Sequence, residues 1–382
     1  MQSGPGASAG ANSTRREQRI VKLQNLDLKS GMFRGKPIYV IAVFILLGVL
    51  VLSVLTAVTI GSVDLSVGEV YGVILHKLTG IGDPGIYGKG VLHDIVWYVR
   101  LPRVIMAVGV GMALAVSGCV MQAIVRNPLA DPYILGISSG ATLGATVAAL
   151  LGVVSALGTN AMGICAFIGA FLVSILVQLV SNIGGRSNSI RLLLAGTALY
   201  SVCSAASNFI VYIAKDRHGM QSITFWLMGS LAGAKWENIL FILPIVVVVT
   251  LFFITQSRVL NLMLLGDDAA ITLGTNLLRY RHLYLVLSAL MVGLAVYCTG
   301  MIGFVGLMIP HVARMLFGTD HKRLLPLSAL LGAIFLIWAD VACRVIIPKS
   351  ELPLGILVSA IGAPSFVYLL IRKSYGFGEG KS

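Results

Sequence analysis

Long apolar stretches alternate with short polar turns along this chain, and that alternation sets its architecture. Nearly uninterrupted apolar runs occupy residues 38–60, 104–125, 133–156, 161–183, 192–213, 239–256, 282–300, 302–317, 324–346 and 354–371. A hydrocarbon core is crossed by about 20 apolar residues wound as helix. The pattern predicts an all-α polytopic membrane protein with about ten transmembrane helices. Only Gly300 and Met301 separate the seventh run from the eighth, and Gly303, Gly306 and Pro310 then interrupt the eighth. A further amphipathic piece, QSITFWLMGSL at 221–231, is too short to span and reads as interfacial or re-entrant.

Composition agrees with a lipid solvent. The chain is 57% hydrophobic and 11% charged, with mean hydropathy +0.92. A soluble domain carries roughly 25% charged residues, so this one cannot cover a water-facing surface. The formal charge of +13 would suggest nucleic acid in a soluble protein. Here the cations stand at the ends of apolar runs, so they report orientation and not a nucleic-acid partner. One side, which includes the N-terminal tail, Arg126, Arg191, Arg281, Arg314 and Arg372, holds 19 of the 28 Lys and Arg residues. The positive-inside rule makes that side cytoplasmic and places both termini there. Residues 1–37 then form a basic, largely disordered cytoplasmic tail, 38–373 the transmembrane domain and 374–382 a cytoplasmic C-terminal tail. No apolar stretch follows the early charges before residue 38, so no cleaved signal peptide is expected.

Chemistry of the catalytic kind is sparse. The nearest approach to a phosphate-binding loop, DPGIYGKG at 83–90, has Asp83 where Gly is needed and Gly90 where Ser or Thr is needed. The chain is therefore read as no enzyme. The cysteines, Cys119, Cys165, Cys203, Cys298 and Cys343, have no metal-ligand spacing and read as packing residues. No series of carboxylates crosses the apolar runs, which counts against an ion-driven carrier. Asp340 and Arg344 lie four residues apart and can pair along one helix face. The polar turn RNPLADPYILG, after the second run, is stiffened by Pro128 and Pro132, whose φ is fixed. LLGDDAAITLGTNLLRYR at 264–281 reads as two short cytoplasmic helical pieces broken at Gly274. Asp267 and Asp268 suit a first turn, and Leu273, Leu277 and Leu278 give an apolar face that wants a partner.

Six segments in fixed order carry a family resemblance: WYVRLPRVIMAVGVGMALAVSGCVMQAIVRNPLADPYILGISSGA at 97–141, RLLLAGTAL at 191–199, FWLMGSLAGAKW at 225–236, LLGDDAAITLG at 264–274, GMIGFVGLMIPHVARMLFGTDHKRLLP at 300–326 and ELPLGILVSAIGAPSFVYLLIRK at 351–373. In these the chain resembles the FecCD permeases, the membrane subunits of ABC importers for iron–siderophore complexes, haem and cobalamin. The resemblance implies a bacterial or archaeal cell-membrane location and ten helices per subunit. It implies a dimer with one pathway between two copies, two ATPase subunits that hold ATP and magnesium, and an external or lipid-anchored binding protein. No cofactor is then expected on this chain, and siderophore–iron ranks first among cargoes. By position, Asn127, Leu129, Ser189 and Ile190 would border a cytoplasmic gate, although Ile190 stands where a small polar residue is expected. Leu265, Gly266, Asp267, Asp268, Ala269, Ala270, Leu273 and Gly274 would couple to the ATPase. Arg100, Arg103 and Arg344 would meet glutamates of the binding protein. The contrasting reading is a secondary carrier or channel not driven by ATP.

Overall fold

A computed structural model describes residues 36–153, 158–183, 189–347 and 350–372. The tails read from the sequence at 1–37 and 374–382 thus fall almost wholly outside the described residues. Fourteen helices of six or more α-helical residues carry the described chain: α1 (Lys36–Thr59), α2 (Val67–Thr79), α3 (Leu101–Val125), α4 (Ile137–Leu150), α5 (Ala161–Asn182), α6 (Ser189–Ala214), α7 (Arg217–Leu227), α8 (Trp236–Thr255), α9 (Ser257–Leu265), α10 (Asp267–Thr272), α11 (Leu277–Thr299), α12 (Val305–Phe317), α13 (His321–Val345) and α14 (Leu354–Arg372). No strand occurs among the described residues. The chain is an all-helical, multi-pass membrane protein.

The ten runs divide by length. Seven helical stretches are long and apolar enough to cross a bilayer: those built on α1, α3, α5, α6, α8, α11 and α13. The third and eighth runs give shorter apolar helices, Ile137–Leu150 and Val305–Phe317, whereas the tenth gives the 19-residue α14, Leu354–Arg372. The physical reason is local. Gly136 and Gly300 take positive φ, and Phe304 opens α12 with φ 65°, so the backbone turns where the sequence pattern alone would extend the helix. Elsewhere the helices outrun the pattern. The second span is helical from Val91, because a π-helical stretch at Ile95–Arg100 feeds into α3. The seventh begins at Leu277, where Asn276 caps it by accepting from Leu278 N at 3.0 Å.

α3 is the hub. It is buried along nearly its whole length against α8, α11, α12 and α13. α4, α5 and α6 form a second group, which α11 joins to the hub. Lipid offers no hydrophobic drive between helices, so close approach has to come from small residues. A methyl on Gly118 would lie 1.9 Å from the Gly306 carbonyl oxygen, and one on Gly111 would lie 2.2 Å from that of Gly332. These two crossings fix α12 and α13 against α3 and admit only glycine. By contrast, α1 is apolar on all sides, leans mainly on α13 and leaves Phe44 and Leu52 exposed, as a lipid-facing helix does.

Candidate functional site at the two ends of the helical hub

Charged and irregular residues gather at opposite ends of α3. At the end where α3 begins, Arg100, Arg103 and Arg344 are 4%, 4% and 5% exposed. The docking expectation needs guanidiniums that face outward, yet these three are buried and committed within the chain. Arg103 Nε donates to Asp340 Oδ1 at 2.8 Å, and its Nη1 donates to both Glu351 oxygens at 2.9 and 2.8 Å. Arg344 Nε lies 3.1 Å from Asp340 Oδ2, an ion pair without hydrogen-bond alignment, while its Nη1 donates to Ile60 O at 2.7 Å. Arg100 Nη1 donates to Thr59 O at 2.8 Å, and its Nη2 donates to Val63 O.

The physical reason is the end of α1. A helix terminus leaves its last carbonyls unpaired. Here Val58, Thr59 and Ile60 offer oxygens next to a low-dielectric interior, and arginine forks satisfy several at once. Asp340, 1% exposed, sits between Arg103 and Arg344 and balances them. The Asp340–Arg344 pair expected from spacing is therefore present, as one part of a larger cluster. Glu351, its half-exposed member, was not singled out in the sequence; it lies 248 positions from Arg103.

At the other end of α3 the geometry is open. Arg126 terminates the helix in the left-handed conformation, φ 55°. Asn127 is exposed and its Oδ1 accepts from Leu129 N at 2.9 Å, which closes the turn on itself. Asp131 caps the next turn by accepting from Tyr133 N at 2.8 Å. Burial pushes the Asp131 carboxyl up to about 6. The 132–135 turn packs on α6, whose first turn holds Ser189 and Ile190. Ile190 is 67% exposed; the Ser189 side chain lies outside the described residues, as do residues 184–188. The structure thus brings the 132–135 turn to the helix that carries Ile190.

The predicted coupling segment breaks at Gly274 as expected and has a second break, at Gly266, that the sequence reading did not include. α9 and α10 meet at Gly266, with φ 100° and ψ 167°, a conformation open to glycine almost alone. Gly274, φ 77°, separates α10 from the long α11 and has open space around it. Asp267 and Asp268 occupy the first turn of α10 as expected. Asp267 accepts from Arg281 Nη2 at 2.7 Å, which pins the segment to α11. Ala270 is buried, whereas Leu265, Ile271 and Leu273 are 64%, 65% and 62% exposed. Arg126 reaches this segment too: a methyl on Gly266 would lie 2.6 Å from its Nη1.

Comparison with known proteins places this geometry. Residues 49–372 match the model of a family described as the FecCD transport family. The chain is 41% identical over 287 residues to the hemin transport system permease protein HmuU of Yersinia pestis, covering 74% of this chain and 85% of that one. It is 40% identical over 279 residues to the vitamin B12 import system permease protein BtuC of Salmonella typhimurium, with 73% and 84% covered. Among solved structures it is similar to an inward-facing metal-chelate type ABC transporter, with TM-score 0.74 and 33% identity over 87% of this chain and 99% of that one.

Proposed function

The chain belongs to the FecCD transport family, and on that footing we propose that it is the membrane-spanning permease subunit of an ATP-driven, binding-protein-dependent importer of a bulky metal chelate. The cargo class is an iron–siderophore complex, haem or cobalamin; siderophore–iron ranks first for this chain. Two copies enclose one pathway in a bacterial or archaeal cytoplasmic membrane, with the tails and the α9–α10 segment inside. Helices α4, α12 and α14 complete ten crossings, because the glycine-turned segments beside α4 and α12 line the protein interior instead of lipid. ATP and magnesium belong to two separate ATPase subunits.

One observation carries this reading: the α9–α10 segment exposes Leu265, Ile271 and Leu273 while Arg281 holds it in place. Exposed aliphatic side chains on a pinned helix pair are costly in water and rewarding in a partner's groove. Its movement reaches the gate at Asn127, Leu129, Ser189 and Ile190. At the outer end, the binding protein docks over the arginine cluster. Because Arg103 is already held by Glu351, a partner carboxylate has to displace Glu351 to reach it, so docking and loosening of this end are one event.

The secondary-carrier reading requires a titrating or ion-binding carboxylate within the spans; Asp340, the buried one at hand, is compensated by two arginines. The experiment is uptake of labelled iron chelates, haem and cobalamin by the permease reconstituted with its ATPase and binding protein. ATP-dependent accumulation of at least one is expected. Accumulation that follows a proton gradient and ignores ATP would sink the proposal.

A further inference from the structure

A polar cluster lies between α5 and α11. Gln178 and Asn182 stand four residues apart on one face of α5, and His282 of α11 fits between them. His282 Nδ1 is 3.3 Å from Gln178 Oε1, and Asn182 Nδ2 is 3.2 Å from His282 Nε2. One neutral tautomer satisfies both contacts: Nδ1–H donates to the Gln178 oxygen and Nε2 accepts from the Asn182 amide. Such groups are expensive among apolar helices, so a three-membered clasp needs a reason beyond packing. Its neighbours supply one. Arg281, adjacent to His282, donates to Asp267 on α10. Asn182 is the last residue of α5, and the next carbonyl, Ile183 O, accepts from Arg191 Nη1 at 3.4 Å. Arg191 adjoins Ile190.

We propose that His282, clasped by Gln178 and Asn182, is a positioning residue that relays movement of the α10 segment to the first turn of α6. The inference deepens the proposed function, since it rests on Ile190 bordering the gate and α10 meeting the ATPase. The path runs from Asp267 to Arg281, through one peptide to His282, across to Asn182, through one peptide to the Ile183 carbonyl, and on to Arg191 beside Ile190. Every step is a hydrogen bond or a single peptide link. The final contact is long and exposed, which makes it the joint that opens first. A separate route serves the other half of the gate: Arg126 lies over Gly266 and precedes Asn127. Of the hydrogen bonds named, each route has its own beyond the α9–α10 segment, so the two can be tested by separate mutations.

The test uses the complete complex with its ATPase subunits in lipid vesicles. Cysteine is placed at Ile190 or at Asn127, and its maleimide labelling rate is compared with and without ATP, the unsubstituted chain giving the background. In His282→Leu, ATP dependence at Ile190→Cys is expected to fall about fivefold or more, the usual scale of a coupling between sites. Labelling at Asn127→Cys keeps its ATP dependence, and the complex still hydrolyses ATP. His282→Gln, which retains a donor and an acceptor, restores the response at Ile190. Asn182→Leu reproduces the loss and guards against a folding defect peculiar to position 282. The relay is overturned if Ile190→Cys responds normally in both leucine variants, or if both cysteines lose their response equally. An Ile190→Cys that ignores ATP in an otherwise native complex overturns the gate reading, and the relay with it.

Discussion

The two ends of α3 are alike in sequence and opposite in structure. Both carry arginine, aspartate and proline, and in the proposed orientation the Arg100 end is the outer one and the Arg126 end the inner one. At the outer end the charges turn inward: three arginines, Asp340 and Glu351 close over the end of α1, and the guanidiniums are almost wholly buried. At the inner end the backbone turns on itself through Asn127, Asp131 and Gly266, and apolar side chains are left facing out. The outer end is a lock made of side chains, and the inner end is a surface made by backbone. The lesson is that a cation at the rim of a membrane protein does not announce exposure. A nearby helix terminus with unpaired carbonyls draws it in, whereas a terminus finished by its own Asx turn leaves the surrounding surface free.

The sharpest way to break the contrast is at Asp340. Asp340→Leu leaves Arg103 and Arg344 buried without their shared anion, and removal of one partner from a buried pair costs about 3–5 kcal/mol. Chemical unfolding in detergent should show that loss. A triple change of Arg103, Asp340 and Arg344 to apolar residues of similar size should lose less than the single change. If Asp340→Leu unfolds like the native protein, the outer end is no lock.

At the inner end the same measurement should stay flat while function fails. Leu273→Asp touches a residue that is 62% exposed, so stability is expected to move by no more than about 0.5 kcal/mol. Transport and ATPase docking should nevertheless fall about tenfold or more, because an apolar anchor has become a charge. Co-purification with the ATPase reads this directly. Stability lost together with docking would erase the distinction between the two ends.

The smallest effect is a pH dependence confined to the inner rim. Burial raises the Asp131 carboxyl to about 6 from an ordinary 3.8. The folded protein thus binds this proton more tightly than the unfolded chain. Its contribution is fully present below about 4 and is lost as pH rises through about 6. Stability followed from pH 4 to 7 should decline by that increment in the native chain and run flatter in Asp131→Asn. A native profile identical to that of Asp131→Asn would mean that this turn does not feel its burial.

The alternation of apolar runs and polar turns placed the long apolar helices but not α2, since about 20 apolar residues have no water-soluble alternative and lipid demands internal hydrogen bonding, whereas a short helix outside the runs carries no such signal. Residue order also carried the family, because six motifs in sequence are a linear property; of the leucines read as an apolar face, Leu273 and Leu278 are exposed, whereas Leu277 is buried. Other features belong to the fold. Whether an arginine faces a partner or its own chain depends on which helix end lies beside it: the contact of Arg103 with Glu351 spans 248 positions, and that of Arg100 with Thr59 spans 41. The shortening of α4 and α12 follows from positive-φ turns at Gly136, Gly300 and Phe304, and at Gly300 close packing leaves no room for a side chain, since a methyl there would lie 2.1 Å from the Trp226 carbonyl oxygen. The clasp of His282 between Gln178 and Asn182 needs two helices brought together from 104 and 100 residues apart. Local chemistry chose the segments, and only the packing of helices against one another decided which polar groups would meet, because contact between distant residues is set by where the backbones cross and not by what the sequence says on either side.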